Sequence, residues 1–412
     1  MSKIVQKFGG TSVADIDHIR KAAQIVVNAT NEGHEVLAVV SAMGDTTDKL
    51  ISLARTITPN PTARELDMLL TTGEQQSVAL MSMAIHECGG QARSFTGGQA
   101  GIITENIHGS ARIEEIRTSS IEASMGRGEI PVVAGFQGIT NNQELTTLGR
   151  GGSDTTAVAV ATAIGADRCD IYTDVNGVYT SDPRLISRAS KLKSISYEEM
   201  FEMANTGAKV INHRAVSLAK ENQLPLRIRS TFWPEDEGTL VTDLINTPDY
   251  AVCGVTLDSS QVWFSWQMAI HQDQASKLDG VASLFLRLNE LNISADMVML
   301  LAREDEPLQE LVFTVEKSAA IRVKSIIESN NDSHGTKLVI DDKLARISVI
   351  SRRLNGKPEI VASIFDTLNH ANIPVHMVAT GDLRFSLLIP KTHAHGAADL
   401  IHEHFNLSTL LN

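Results

Sequence analysis

Short apolar runs alternate with amphipathic segments through the first half of the chain. Runs that a parallel sheet could bury on both faces predict strands at residues 3–8, 35–41, 130–134, 168–175 and 225–229. Apolar residues at helical spacing predict helices at residues 15–31, 65–88 and 153–164. Strands and helices alternate in this order, so we expect a three-layer α/β domain with a mainly parallel sheet over residues 1–245.

The second half contains an internal repeat. Shifted by 80 residues, 278–298 align with 358–378, and 10 of the 21 positions are identical. In each copy an amphipathic helix leads through Asn-Ile into an apolar strand, and a second strand and a second helix follow. We therefore expect two α+β units, each with βαββαβ order, at residues 250–335 and 340–412.

Composition narrows the function classes. The 412 residues include 36 basic and 49 acidic side chains, a net charge of −13, which argues against a nucleic-acid partner. No apolar run reaches the length of roughly 18 residues that a membrane helix requires, and the first ten residues lack the pattern of a signal peptide. Three cysteines lie far apart in the sequence. We expect a cytoplasmic protein with no membrane partner.

Histidine and tryptophan clusters are weak functional candidates. Two His-x-His pairs near the C-terminus point to different sides of a helix, so no metal site is expected: His393, His395, His402 and His404. Trp263 and Trp266 are interpreted as core or interface residues.

The segment Lys7-Phe8-Gly9-Gly10-Thr11-Ser12 ends the first strand and opens the first helix. Glycines there allow backbone N–H groups to approach an anion, and a lysine could reach a phosphate. The alternative is an ordinary strand-to-helix turn with a surface lysine.

A more specific motif is TTLGRGGSDTT at residues 146–156. Three glycines surround Arg150 immediately before a predicted helix that Ser153 or Asp154 would cap. The planar guanidinium suits a carboxylate or a phosphate, and Gly151 and Gly152 would let a substrate approach. The alternative is a flexible loop.

Two further groups of polar residues are candidates for ligand binding. Thr173, Asp174, Tyr179 and Arg184 follow a strand and could surround a nucleotide, or they could form a solvated hairpin-like connection. Ser41, Thr47 and Glu74 could bind a small zwitterion, with Glu74 on the amine. Alternatively, Ser41 and Thr47 are helix caps and Glu74 lies on a solvated helix face.

Taken together, KFGGTS, SAMGDTT, TTGE, AGFQG, TTLGRGGSDTTA and YTDVNGVYTSDPR resemble the aspartate kinases of the amino acid kinase family. In that family a catalytic domain precedes two ACT domains. The resemblance implies transfer of the γ-phosphoryl group of ATP to the side-chain carboxylate of L-aspartate, the first step towards lysine, threonine and methionine. Magnesium would enter with ATP, and no prosthetic group is implied.

The resemblance also implies roles for individual residues. Lys7 would contact the transferred phosphoryl group, Asp154 would organise Lys7, and Arg150 would bind the α-carboxylate of aspartate. The substrate pocket would be completed by Ser41, Thr47, Glu74, Gly151, Gly152 and Ser153. The nucleotide would be bound by Lys7, Phe8, Gly9, Gly10, Thr173, Asp174, Tyr179, Asp182, Arg184 and Lys209.

The regulatory half departs from the family pattern at four places. The chain has Lys277-Leu278-Asp279-Gly280, Met299-Leu300-Leu301, Gly356-Lys357-Pro358-Glu359 and Gly381-Asp382-Leu383 where the family has effector-binding groups. Leucines cannot provide the hydrogen bonds that an amino-acid effector requires. We expect weak or absent feedback inhibition by lysine and threonine.

Two alternative functions remain open from the sequence. One is a catalytically silent ACT-containing regulatory subunit, and the other is a kinase of the same fold that acts on another acid. Paired ACT sheets favour a homodimer in each case.

Overall fold

The computed structural model describes residues 2–243, 252–269, 279–302, 308–329, 337–352, 354 and 357–409. These residues form two compact units. One contains residues 2–180 and 190–243, and the other contains residues 181–189 together with the described residues from 252 to 409. None of the described helices combines the length and the apolar character needed to cross a membrane.

The first unit is built on a sheet of eight strands. Its strands and those of a smaller sheet are, in chain order, β1 (Lys3–Phe8), β2 (Glu35–Val40), β3 (Ala92–Phe95), β4 (Ile102–Thr104), β5 (Ile113–Ile116), β6 (Ile130–Ala134), β7 (Gln137–Ile139), β8 (Leu145–Thr147), β9 (Arg168–Thr173), β10 (Ser194–Ile195), β11 (Leu226–Ser230) and β12 (Thr239–Val241). The large sheet has the order β10-β12-β11-β9-β1-β2-β6-β3 and is parallel except where β11 meets β12. The smaller sheet has the order β5-β4-β7-β8.

Helices cover both faces of the large sheet. They are α1 (Ile16–Asn31), α2 (Thr46–Ile57), α3 (Ala63–Glu87), α4 (Ser119–Met125), α5 (Gly152–Ala163), α6 (Tyr197–Thr206) and α7 (His213–Glu221). Apolar residues of α1 and α3 pack with Phe8 and with alternate residues of β2 and β6 in one core. Lys7 points to the opposite face because side chains alternate along a strand, and α5 lies there. The mainly parallel three-layer domain expected from the sequence is confirmed.

The second unit contains two antiparallel sheets of four strands each. Its strands are β13 (Gly254–Asp258), β14 (Gln261–Ala269), β15 (Ala295–Ala302), β16 (Leu308–Glu316), β17 (Lys337–Asp341), β18 (Leu344–Ile350), β19 (Met377–Thr380) and β20 (Arg384–Pro390). Its helices are α8 (Asp279–Glu290), α9 (Ala320–Ser329), α10 (Pro358–His370) and α11 (Lys391–His404). The two copies of the repeat form equivalent elements, since α8 corresponds to α10, and β15 and β16 correspond to β19 and β20.

The strand order of the two small sheets shows how the copies are connected. One sheet has the order β15-β16-β14-β17 and the other the equivalent order β19-β20-β18-β13. The outer strand of the second copy therefore comes from residues 254–258, before the first copy begins. The alignment of the repeat starts at residue 278. It therefore does not include β13 and gives no sign that this strand belongs to the sheet of the second copy. The domain limits 1–245, 250–335 and 340–412 stay predictions.

Candidate active site

Four motifs meet at one edge of the large sheet. The adjacent parallel strands β9, β1, β2 and β6 end there, and backbone hydrogen bonds continue the ladder past the strand ends. The amide of Gly9 donates to Tyr172, that of Ser41 to Phe8 and that of Gly135 to Val40, at 3.0–3.1 Å. The carboxyl edge of a parallel sheet is where α/β proteins bind ligands.

Lys7 forms a buried ion pair at this edge. Its Nζ lies 2.7 Å from Asp154 Oδ1, and only 8 % of Lys7 is exposed. Asp154 lies in the first turn of α5, and its second oxygen accepts the backbone amide of Asn212 at 2.9 Å. A Cβ added to Gly9 would lie 3.3 Å from the lysine nitrogen, so the ammonium lies directly beside the glycine backbone. Lys7 is therefore not the surface lysine of the alternative interpretation.

The glycine turn after β1 packs against the loop after β2. The amide of Gly44 donates to the carbonyl of Gly10 at 3.0 Å. A Cβ on Gly10 would lie 3.1 Å from the Ala42 carbonyl oxygen and 3.2 Å from that of Gly44, so glycine is required for this approach. The predicted phosphate loop and the predicted substrate loop are therefore in direct contact.

Glu74 approaches the same loop from helix α3. Its Oε1 accepts the amide of Ala42 at 3.1 Å, whereas its buried Oε2 has no hydrogen-bond partner among the described residues. Glu74 is only 3 % exposed, and burial raises the pKa of its carboxyl group to about 7. This is not a solvated helix face. A buried carboxylate with an unused oxygen is a suitable partner for a ligand that brings positive charge.

The loop containing Arg150 is held in one conformation from several sides. Gly149 and Gly151 have φ angles of 75° and 69°, a region that favours glycine. A Cβ on Gly151 would also collide with Asn212, whose side chain donates to the Arg150 carbonyl oxygen at 3.2 Å. Within the described residues, no hydrogen bond or ion pair engages the Arg150 guanidinium, which is exposed. The backbone is held while the charge is available to a ligand.

The remaining substrate candidates differ in accessibility. Gly152 and Ser153 are buried in the first turn of α5, where Ser153 packs against Gly135. Ser41 and Thr47 are half-buried, the first directly after β2 and the second in the first turn of α2. Neither caps α2, since the N-cap residue of that helix is Asp45.

The residues predicted to bind the nucleotide differ in their surroundings. Phe8 is fully buried and stacks on Tyr172 with 4.8 Å between ring centroids, so only its backbone is available to a ligand. Thr173 ends β9 and donates a hydrogen bond to Asp174, which follows it, and Tyr179 hydrogen-bonds to Asn176. Lys209 is exposed in the turn before α7.

Asp182 and Arg184 are also predicted to bind the nucleotide. They make an ion pair with each other at 2.8 Å, and their segment, Ser181–Ala189, belongs to the second compact unit.

The sequence did not reveal two residues that shape this site. Asn212 holds both Asp154 and Arg150, and its only sequence signal is its position as the N-cap of α7. Asp67 is buried in α3 and hydrogen-bonds to the strand that precedes Arg150. Both roles depend on contacts between segments that are distant in the chain.

The predicted phosphate-binding turn therefore lies at the carboxyl edge of a three-layer, mainly parallel domain, and comparison with known proteins shows the class to which this domain belongs. The model of the amino acid kinase family matches residues 2–230, and an ACT domain model matches residues 347–405.

Proteins with similar sequences identify the branch of the amino acid kinase family. The chain is 42 % identical to aspartokinase 2 of Bacillus subtilis over 99 % of its own length and 98 % of the relative's. It is 41 % identical to an aspartokinase of Thermus thermophilus over 99 % of each chain. A crystal structure of E. coli aspartokinase III in complex with aspartate and ADP superposes with a TM-score of 0.82 at 26 % identity, covering 97 % of this chain and 99 % of that one. The chain therefore belongs to the aspartokinases of the amino acid kinase family.

Proposed function

We propose that this protein transfers the γ-phosphoryl group of ATP to the side-chain carboxylate of L-aspartate. A carboxylate oxygen attacks the γ-phosphorus, the bond to the bridging oxygen breaks, and 4-phospho-L-aspartate and ADP leave. An aspartate side chain is already ionised at pH 7, so the reaction requires no general base. The aspartate carboxylate and the γ-phosphate of ATP are both negatively charged and repel each other, and positive charge positioned between them lowers this barrier.

The observation that carries the proposal is the buried Lys7–Asp154 pair beside the Gly9 backbone. A lysine that a carboxylate holds in place cannot rotate away, and its ammonium is directed towards the glycine turn where phosphates bind. In the proposed mechanism, Lys7 stabilises the negative charge of the transferring phosphoryl group.

We infer that the aspartate backbone is recognised by two charges of opposite sign. Arg150 binds the α-carboxylate through its unengaged guanidinium, and Glu74 accepts the ammonium on Oε2. The side chains of Ser41, Thr47 and Ser153 and the backbone of Gly151 and Gly152 complete this pocket.

The nucleotide is proposed to lie on the side of Lys7 that faces away from the aspartate pocket. The backbone of Phe8, Gly9 and Gly10 faces its phosphates, and its remaining contacts in the first unit come from Thr173, Asp174, Tyr179 and Lys209. The nucleotide roles of Asp182 and Arg184 stay predictions from the resemblance. Magnesium arrives with ATP and is held mainly by the phosphate oxygens.

Trapping the acyl phosphate with hydroxylamine tests this proposal. Purified protein with ATP and Mg²⁺ should form a hydroxamate with aspartate and little or none with glutamate or acetylglutamate. A product with glutamate but not with aspartate would indicate a kinase for another acid. No product with any of the three would indicate a silent regulatory subunit.

We also propose a homodimer formed through the ACT sheets. Strand β15 lies at the edge of its sheet among the described strands. Four consecutive apolar residues on it are 39–48 % exposed: Val298, Met299, Leu300 and Leu301. An apolar sheet edge is suited to pairing with a second copy. Leu300→Glu should shift the sedimentation coefficient from that of a dimer to that of a monomer.

Feedback inhibition by lysine and threonine is proposed to be weak or absent. Met299, Leu300 and Leu301 give β15 apolar side chains where an amino-acid effector needs polar partners. The other departures lie between β19 and β20 and at the starts of α8 and α10. Lys277, Leu278 and Gly356 lie outside the described residues.

A further inference from the structure

We propose that Asp67 is a positioning residue for the amino-acid substrate. It fixes the end of the strand that precedes Arg150 to the same helix that carries Glu74. The carboxylate-binding and ammonium-binding groups are thereby kept at a constant separation. The inference rests on the proposed function, because it assigns aspartate to these two groups.

Asp67 is a buried carboxylate with three hydrogen-bond donors and no lysine or arginine partner among the described residues. It lies in α3 and is 1 % exposed. Its Oδ1 accepts the Thr147 hydroxyl at 2.6 Å, and its Oδ2 accepts the amide of Gly109 at 2.9 Å and His108 Nδ1 at 3.0 Å. A buried polar group depends on such hydrogen bonds because it has no water to replace them, so these contacts hold the three donors to α3.

The donors belong to the two segments that form the base of the Arg150 loop. Thr147 ends β8, three residues before Arg150, and its carbonyl accepts the amide of Ala111 at 2.9 Å. Gly149 packs against Gly109, since a Cβ on it would lie 3.4 Å from the Gly109 carbonyl oxygen. Residues 108–111 and 147–149 therefore run side by side, and Asp67 joins both of them to α3.

The same helix presents Glu74 seven residues later. Seven residues are nearly two helical turns, so both carboxylates lie on one face of α3, about 10 Å apart along the axis. The ammonium and the α-carboxylate of an amino acid are attached to the same carbon atom, so their partners must be matched closely. A shift of about 1 Å in the Arg150 loop would break one of the two contacts.

Two neighbouring threonines provide a matched test. Thr146 and Thr147 are both buried in β8, and each hydroxyl has a side-chain partner at 2.6 Å, Thr104 for the first and Asp67 for the second. We expect Thr147→Val to raise the KM for aspartate about tenfold, with KM for ATP and kcat changed less than about threefold. Thr146→Val should leave the KM for aspartate within about twofold, although it also loses one buried hydrogen bond.

Thr147→Ser keeps the hydroxyl and should restore the KM of the unchanged protein. This variant separates positioning from misfolding if Thr147→Val proves unstable. Asp67→Asn should raise the KM for aspartate about as much as Thr147→Val. In an Arg150→Ala background, Asp67→Asn should add little, because the group that it positions is gone.

Three outcomes would overturn the positioning role. They are equal effects of Thr147→Val and Thr146→Val on the KM for aspartate, a parallel rise in the KM for ATP, and full additivity of Asp67→Asn with Arg150→Ala. Each of these can appear only in a protein that phosphorylates aspartate. Absence of hydroxamate from the unchanged protein would instead contradict the proposed function.

Discussion

Glu74 of the first unit and the Arg346 cluster of the second unit are two buried charged groups with opposite surroundings. In the first unit, Glu74 keeps an oxygen without a hydrogen-bond partner. In the second unit, buried Arg346 lies between Asp258 and Asp296, and Arg384 binds Asp296 at 2.7 Å. The first arrangement is open to a ligand, and the second is neutralised by its own side chains.

The direction of the pKa shifts follows from this difference. Burial raises the pKa of Glu74 to about 7, because no positive charge compensates for the loss of water. Burial also acts to raise the pKa of Asp296, but the positive charges of Arg346 and Arg384 outweigh it, and the pKa lies below its ordinary value. Of these two carboxylates, only Glu74 lacks a compensating positive charge, and it is the one that we assign to a ligand.

The largest effect is expected on stability, when Arg346 is removed from its cluster with Asp258, Asp296 and Arg384. Arg346→Met leaves the buried Asp258 and the half-buried Asp296 with less positive charge, which should destabilise the second unit by about 3–5 kcal/mol. Trp263 and Trp266 lie in β14 of this unit and Trp233 lies in the first unit, so in a Trp233→Phe background tryptophan fluorescence during urea unfolding reports the stability of the second unit.

Arg188 is the control for this prediction. It also has two carboxylate partners, Asp399 and Glu403, but all three side chains are at least 36 % exposed. Arg188→Met should cost no more than about 1 kcal/mol. Equal losses for the two arginines would contradict the distinction between buried and exposed pairs.

Removing the positive charge of Lys7 should lower the rate, and it also leaves the buried Asp154 without its ion-pair partner. Lys7→Ala is expected to lower kcat by about 10²–10³, the scale of one lost electrostatic group in a transition state. The hydroxamate assay under saturating substrates measures it. An unchanged kcat would refute the role of Lys7.

Neutralising Glu74 should weaken substrate binding and stabilise the free protein. Glu74→Gln is expected to raise the KM for aspartate at least tenfold, since the ammonium loses a charged partner. The folded carboxyl has a raised pKa, so ionisation costs stability as pH rises from about 4.5 to about 7. At pH 8 the variant should be more stable by about 3 kcal/mol, and near pH 4.5 the gain should nearly vanish.

Glu199 provides the matched control for Glu74. It is equally buried, but its carboxylate accepts both the amide and the hydroxyl of Ser196 in a capping box. Glu199→Gln should destabilise the protein slightly and leave the KM for aspartate unchanged. A stability gain in this variant, or none in Glu74→Gln, would break the contrast between open and satisfied carboxylates.

The smallest effect is expected from adding feedback effectors. Millimolar lysine plus threonine should change the rate by less than about twofold, because β15 presents apolar side chains at the position expected for an effector. Complete inhibition would show that the second unit also contains an open binding site.

Local patterns allowed much of this architecture to be predicted. Strand β1 and helix α1 begin and end where the apolar spacing indicates, and Asp15 caps α1 by accepting the amide of His18. The motifs around Gly9 and Arg150 were recognisable because glycines and charges are adjacent in the chain.

Contacts between distant segments could not be predicted in the same way. Asp67 looks like an ordinary polar residue of a long helix, and its partners are 41 to 80 residues away. The outer strand β13 is separated from its partner β18 by a complete copy of the repeat. The burial of Glu74 depends on how closely α3 approaches Ala42, which no periodicity shows.

The central claim is that Glu74 is left uncompensated so that it can accept the ammonium of aspartate. Calorimetric titration of aspartate in the presence of Mg²⁺ and ADP, at pH 6 and pH 8 and in two buffers of different ionisation enthalpy, tests it most directly. The account predicts about tenfold weaker binding at pH 6, with release of nearly one proton per aspartate bound, because Glu74 must ionise. Glu74→Gln should bind weakly at both pH values and release no proton. Equal affinity and no proton release in the unchanged protein at both pH values would contradict the account.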